Sequence, residues 1–110
     1  MITPDGKRII SAGYDETIKV WEWASGQLLK TLRGHTSFVN ALALTPDGQR
    51  IVSASMDSTL MVWDLASGKA VTTFREHPDS VDAVAITPDG RWVISGALND
   101  RAARVWDINS

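Results

Sequence analysis

The stretch TPDGQRIVSASMDSTLMVWD, residues 45–64, decides the fold. It opens on Thr45-Pro46-Asp47-Gly48, a tight-turn signature: proline presets φ at one turn position and glycine accepts a positive φ. Arg50 to Ala54 reads as a strand, Asp57-Ser58 turns the chain, and Leu60 to Trp63 reads as another strand. That second strand is apolar on both faces, Leu60 and Val62 on one and Met61 and Trp63 on the other. A sheet with one wet face would alternate cleanly, so this one is covered on both sides. Working outward, Val39 to Leu44 has apolar residues at alternate positions, and Ala66-Ser67-Gly68 turns into Ala70 to Phe74. Four strands of about six residues with turns of about four fill about 40 residues. No segment carries a 3.6-residue apolar period, so no helix is predicted.

The unit repeats. Thr-Pro-Asp-Gly stands at Thr3–Gly6, Thr45–Gly48 and Thr87–Gly90, 42 residues apart each time. Trp21, Trp63 and Trp106 follow at intervals of 42 and 43, and His35 and His77 are 42 apart. Residues 2–43 laid over 44–85 give 21 identities in 42 positions. The third copy runs from Ile86 to Ser110. Self-similarity at such a period is the mark of a repeat architecture. By this reading the chain holds ten strands, grouped three, four and three.

Composition narrows the function. The chain has 110 residues, 44% hydrophobic and 22% charged, an ordinary globular balance. Its net charge of −2 offers no basic surplus for a phosphate backbone, so nucleic acid is not an expected partner. No unbroken apolar run exceeds four residues, as at Ala41–Leu44 and Leu60–Trp63, whereas a membrane helix needs about 20. The residues Met1-Ile2-Thr3-Pro4-Asp5-Gly6 lack the apolar core of a secretion signal. With no cysteine, disulfides, thiolate metal sites and cysteine nucleophiles are excluded. A cytoplasmic location is expected, without cofactor or membrane partner.

These residues resemble the WD-repeat β-propeller family. The resemblance rests on Gly34-His35, Trp63-Asp64, Trp106-Asp107, the aspartates Asp15, Asp57 and Asp100, and the period of 42. It implies an all-β fold of four-stranded antiparallel propeller blades, incomplete in one chain. The blades are blade 1 (incomplete) at 1–33, blade 2 at 34–75 and blade 3 (incomplete) at 76–110. It also implies a hydrogen-bonded structural tetrad in each blade. The middle set is His35, Ser53, Asp57 and Trp63; the third is His77, Ser95, Asp100 and Trp106; the first is Ser11, Asp15 and Trp21, without a histidine. The chain departs from the pattern at Trp21-Glu22, at Glu76-His77, and in one extra residue within Gly96–Asn99.

Serine, histidine and aspartate together invite a hydrolase reading, which needs an exposed serine, a base and an oxyanion hole. A set that recurs with the period of the fold belongs to the architecture instead, and Ser11, Ser53 and Ser95 lie inside strands. No catalytic residue is assigned. Two histidines 42 apart give no metal-ligand spacing. The aspartates after Pro4, Pro46 and Pro88 read as turn formers.

In the resembling family, partners bind near the histidine and the tetrad aspartate. The matching positions here are Phe38, Asn40, Ser80 and Asp82 after the histidines, and Tyr14, Met56 and Asn99 before the aspartates. Aromatic and methionine side chains are enriched in interface cores, although Phe38 and Met56 could equally pack on the adjacent blade. Trp23 and Trp92 are expected in strands, as blade-to-blade core.

A chain of about 2.6 units falls short of the four to eight blades of a propeller. The first blade is expected to lack its inner strand and the last its outer one. The expected state is a piece of a larger propeller or a truncated product, ahead of an oligomeric ring completed by self-association. The expected function is a non-catalytic protein–protein interaction scaffold, binding a protein or peptide on its loop-bearing rim. The alternative is a regulatory or sensor segment of a larger enzyme.

Overall fold

The computed structural model describes residues 1–13, 15–75, 80–97 and 103–108. They form ten strands and no helix. The strands are β1 (Arg8–Ala12), β2 (Thr17–Glu22), β3 (Leu28–Arg33), β4 (Val39–Leu44), β5 (Arg50–Ser55), β6 (Leu60–Asp64), β7 (Ala70–Phe74), β8 (Val81–Ile86), β9 (Trp92–Ala97) and β10 (Arg104–Asp107). Each sheet is an antiparallel meander in chain order: β1-β2-β3, then β4-β5-β6-β7, then β8-β9-β10. The first sheet also holds the end of an inner strand, which the sequence reading did not expect. Ile2 bridges Ile9, and Met1 and Ile10 exchange backbone hydrogen bonds of 3.1 and 2.8 Å. Ile2 thus takes the place that Leu44 takes opposite Ile51.

The Thr-Pro-Asp-Gly turns are built alike in all three sheets. The threonine hydroxyl donates to the aspartate at 2.6, 2.6 and 2.5 Å in Thr3, Thr45 and Thr87. The same hydroxyl accepts the amide of the residue that begins the next strand, at 3.1–3.2 Å in Arg8, Arg50 and Trp92. The aspartate accepts the amide two residues on, at 3.0 Å in each copy. Local side-chain bonds of this kind are why threonine and aspartate favour turns. Gly48 and Gly90 close their turns at φ +73°, a region other residues enter only with strain.

Two cores lie between the three sheets, and the middle sheet supplies one face to each. Ile51, Met61, Trp63 and Leu65 pack with Ile10, Ile18, Val20 and Leu32 of the first sheet. Val52, Ala54, Leu60 and Val62 pack with Val81, Val93 and Ile108 of the last. Alternate residues of β5 and β6 therefore serve opposite cores, which is the reason that β6 is apolar on both faces. Each fully buried large side chain contributes roughly 1.5–3 kcal/mol.

Neighbouring turns also meet. A β-carbon on Gly48 would stand 3.2 Å from Cδ of Pro4, and one on Gly90 would stand 3.3 Å from Cδ of Pro46. The proline of one sheet thus seats on the glycine of the next. The inner strands bulge at Asn40 and Asp82. A bulge re-aims its side chain, and the Asn40 amide donates across the gap to the Val81 carbonyl and the Ser80 hydroxyl, at 3.0 and 3.1 Å.

Candidate functional site

The middle sheet joins its four tetrad residues into one directed chain. The Trp63 indole N–H donates to the Ser53 hydroxyl at 2.8 Å. Ser53 lies 2.5 Å from His35 Nε2, and His35 Nδ1 lies 2.9 Å from Asp57 Oδ2. An ionised carboxylate can only accept, so Nδ1 carries the hydrogen; Nε2 accepts from Ser53 when the ring carries that one hydrogen, and the Ser53 hydroxyl also lies 3.4 Å from the Met61 carbonyl. Strand geometry sets this up. Ser53 pairs with Met61 across β5 and β6, so Trp63 is its diagonal neighbour on the same face. His35 arrives from the loop before β4. It is held there by Gly34, where a β-carbon would stand 2.9 Å from both Met61 Cε and Trp63 Cη2.

Asp57 also accepts from the Thr59 hydroxyl at 2.5 Å, the Thr59 amide at 2.9 Å and the Thr36 amide at 3.0 Å. Burial pushes its carboxyl up, but the bonds from Thr59, Thr36 and His35 outweigh burial and hold it below the usual value of 3.8. The result is a saturated polar network inside an apolar wall. Ser53 is completely buried and already engaged by Trp63 and His35, so it is not placed to attack a substrate. Among the described residues, no group of three or more histidines, aspartates and glutamates could hold a metal ion.

The outer sheets repeat part of this set. Trp21 donates to Ser11 at 3.0 Å and Trp106 to Ser95 at 2.9 Å. In the first sheet Lys19 takes the carboxylate oxygen that His35 takes in the middle one, 2.9 Å from Asp15 Oδ2. With the Thr17 bonds, this contact holds Asp15 down to about 2. His77 and Asp100 lie outside the described residues, as do Tyr14 and Asn99 of the rim candidates. Asp64, half of the Trp-Asp pair, had no role assigned from sequence. Its carboxylate accepts the Ala66 amide at 3.0 Å and so caps the turn before β7. Its type and its place before Ala66-Ser67-Gly68 were the available signal.

The remaining rim candidates divide. Phe38 and Met56 are 39% and 47% exposed, so both present their side chains outward. They are tied together, because the Met56 amide donates to the Phe38 carbonyl at 2.9 Å. The Ser55 hydroxyl donates to the same carbonyl at 2.7 Å and accepts the Asp57 amide at 3.1 Å. Asn40, Ser80 and Asp82 instead bond to one another across the gap between the middle and last sheets. Trp23 is not strand core: it stands in the turn after β2 and is 62% exposed. Its counterparts Leu65 and Ile108 are buried, because each lies beside a preceding sheet. Trp92 begins β9, half-buried, with the Arg91 guanidinium 4.8 Å from its ring centre.

Comparison with known proteins agrees with this architecture. The family described as "WD domain, G-beta repeat" matches residues 2–22, 26–64 and 68–107. A Lissencephaly-1 homolog of Caenorhabditis briggsae is 56% identical over 34 residues, 31% of this chain and 9% of that protein. The mouse protein "Dynein assembly factor with WD repeat domains 1" is 50% identical over 38 residues, 34% of this chain and 9% of that one. Among solved structures, the RRP9 WD40 repeats superpose with a TM-score of 0.93 at 29% identity, covering 99% of this chain and 34% of theirs. The structure of U3-55K gives the same TM-score and identity, with 35% of that chain covered. This chain thus spans about a third of those structures, and the three sheets are blades of an incomplete propeller.

Proposed function

The chain belongs to the WD domain, G-beta repeat family, a fold typical of protein-interaction scaffolds, and from that premise we propose that it is a non-catalytic scaffold that binds a protein or peptide on the rim bearing Phe38 and Met56. The observation that carries this reading is the pairing of two exposed apolar side chains whose backbones are joined by the Met56 amide on the Phe38 carbonyl, which also accepts from the Ser55 hydroxyl. A rigid support lowers the ordering cost of binding, and an aromatic with a methionine is a common interface core. The Ser55 hydroxyl couples the rim to the buried network through the Asp57 amide. The network's part is to fix the loop geometry, and chemistry is not asked of it.

The test is a peptide selected against the intact chain from a random library, with its affinity measured for Phe38→Ala and Met56→Ala. Each variant is expected to weaken binding at least about tenfold, or about 1.4 kcal/mol, with thermal unfolding unchanged. Peptides that bind both variants as tightly as the parent chain would refute the rim reading.

A further inference from the structure

Each Thr-Pro-Asp-Gly turn carries an Asp-Gly bond, and two of them, Asp47-Gly48 and Asp89-Gly90, lie inside the array. Glycine after aspartate invites cyclisation, because no side chain obstructs its nitrogen. In that reaction the glycine nitrogen bonds to Cγ of the protonated aspartate. The amide hydrogen and the carboxyl hydroxyl leave as water, and a cyclic imide closes. Water then opens the imide at one of its two carbonyls. One opening restores aspartate; the other leaves isoaspartate, with Cβ in the main chain and the α-carboxylate as the side group. No reactant besides water enters.

The closed turn opposes each requirement of this reaction. The Gly48 amide donates to the Thr45 carbonyl at 2.8 Å, and the Gly90 amide to the Thr87 carbonyl at 2.8 Å, so both nitrogens are engaged. The carboxylates are held from both sides of the glycine. Asp47 accepts the Thr45 hydroxyl at 2.6 Å and the Gln49 amide at 3.0 Å. Asp89 accepts the Thr87 hydroxyl at 2.5 Å and the Arg91 amide at 3.0 Å. The threonine hydroxyl first, and the amide next, keep both carboxyls below the usual value of 3.8. An ionised carboxylate repels the nucleophile and has no hydroxyl to lose. Asp47 and Asp89 are exposed, so these bonds protect them and cover does not. The rings of Pro4 and Pro46 back the two glycines from the neighbouring sheet.

We propose that Asp47-Gly48 and Asp89-Gly90 are latent isoaspartate sites, kept unreactive by the threonine hydroxyl of the closed turn and released when the turn opens. Isomerisation lengthens the main chain and shortens the side group. The Thr45 hydroxyl and the Gln49 amide then lose the carboxylate placed between them, and the turn does not close again. A chain that has opened for long enough is thus marked covalently, which makes its unfolding irreversible. No rim residue enters this proposal, and it stands apart from the rim reading.

The experiment ages the full chain in warm neutral buffer, with and without urea. Isoaspartate is measured by enzymatic methylation and located by peptide mapping with a protease that cuts before aspartate and passes over isoaspartate. The folded parent is expected to isomerise at least about tenfold more slowly than the chain in urea, since only opened turns react. Thr45→Val removes the hydroxyl and is expected to raise isoaspartate at residue 47 while residue 89 keeps the parent rate. Thr45→Ser restores the hydroxyl and should return residue 47 to the parent rate. If Thr45→Val unfolds, Thr87→Val in the half-buried last turn replaces it, with residue 47 as the internal reference. A folded parent that isomerises as fast as the chain in urea would overturn the proposal. So would a folded valine variant that ages like the parent, or a serine variant that ages like the valine one.

Discussion

The ring of Pro4 lies against Gly48 of the following sheet, so closely that a β-carbon on Gly48 would stand 3.2 Å from Pro4 Cδ. The same pairing recurs between Pro46 and Gly90 at 3.3 Å. The turn is therefore more than a local reversal of the chain: it is a spacer between sheets. Gly48→Ala meets both a left-handed backbone and this contact, and about 1–3 kcal/mol of stability should be lost. Gly6→Ala shares the backbone strain but not the contact. Urea unfolding of both variants should show the larger loss at Gly48, and equal losses would deny the packing role.

Removing the serine hub should cost more in the middle sheet than in the first. Ser53→Ala leaves Trp63 Nε1 and His35 Nε2 without their partner in a dry interior, at roughly 1–3 kcal/mol. Ser11→Ala breaks the matching bond to Trp21, which water can reach, and should change stability by about 0.5 kcal/mol or less. Calorimetric melting temperatures of the two variants compare the sites directly.

The fold should lose stability in acid partly through Asp57. Its folded carboxyl titrates below the unfolded value of 3.8. The contribution is therefore present above about pH 4 and is lost as pH falls through the lower folded value. Asp57→Asn should lower stability at neutral pH and flatten the acid limb of the stability curve. Denaturant midpoints measured from pH 6 down to pH 2 would show it, and parallel curves for both proteins would exclude this role.

Equivalent positions should differ by their cover. Leu60→Ala empties a completely buried site between the middle and last sheets and should cost about 2–5 kcal/mol. Val105→Ala, at an exposed position on the last sheet, should cost about 0.5 kcal/mol or less in dilute solution. Equilibrium unfolding at low protein concentration keeps association out of the comparison.

Much of this was legible in the sequence, because the repeat supplied three readings of one pattern. The turn at Thr45–Gly48, the two-faced strand at Leu60–Trp63 and the grouping of three, four and three strands follow from spacing and alternation alone. Contacts between sheets were not legible. Period does not say which neighbour a side chain meets, so the seat of Pro4 on Gly48 and the reach of Asn40 to Val81 needed coordinates. Trp23 shows the same gap from the other side. Its type suggested core, but cover depends on a preceding sheet, which Leu65 has and Trp23 lacks. Phe38 and Met56 were open to either reading; both side chains are exposed in the structure, and their use as an interface is the proposal put to the peptide test.

The sharing of β5 and β6 between two cores makes the middle sheet a party wall. Loosening the first or last sheet gives up one boundary and leaves the other standing, whereas loosening the middle one removes both together. In a nearest-neighbour array this ranks the sheets by persistence. Amides of Val52 and Val62 should be the last to exchange with solvent, and the outer meanders should open first, in either order.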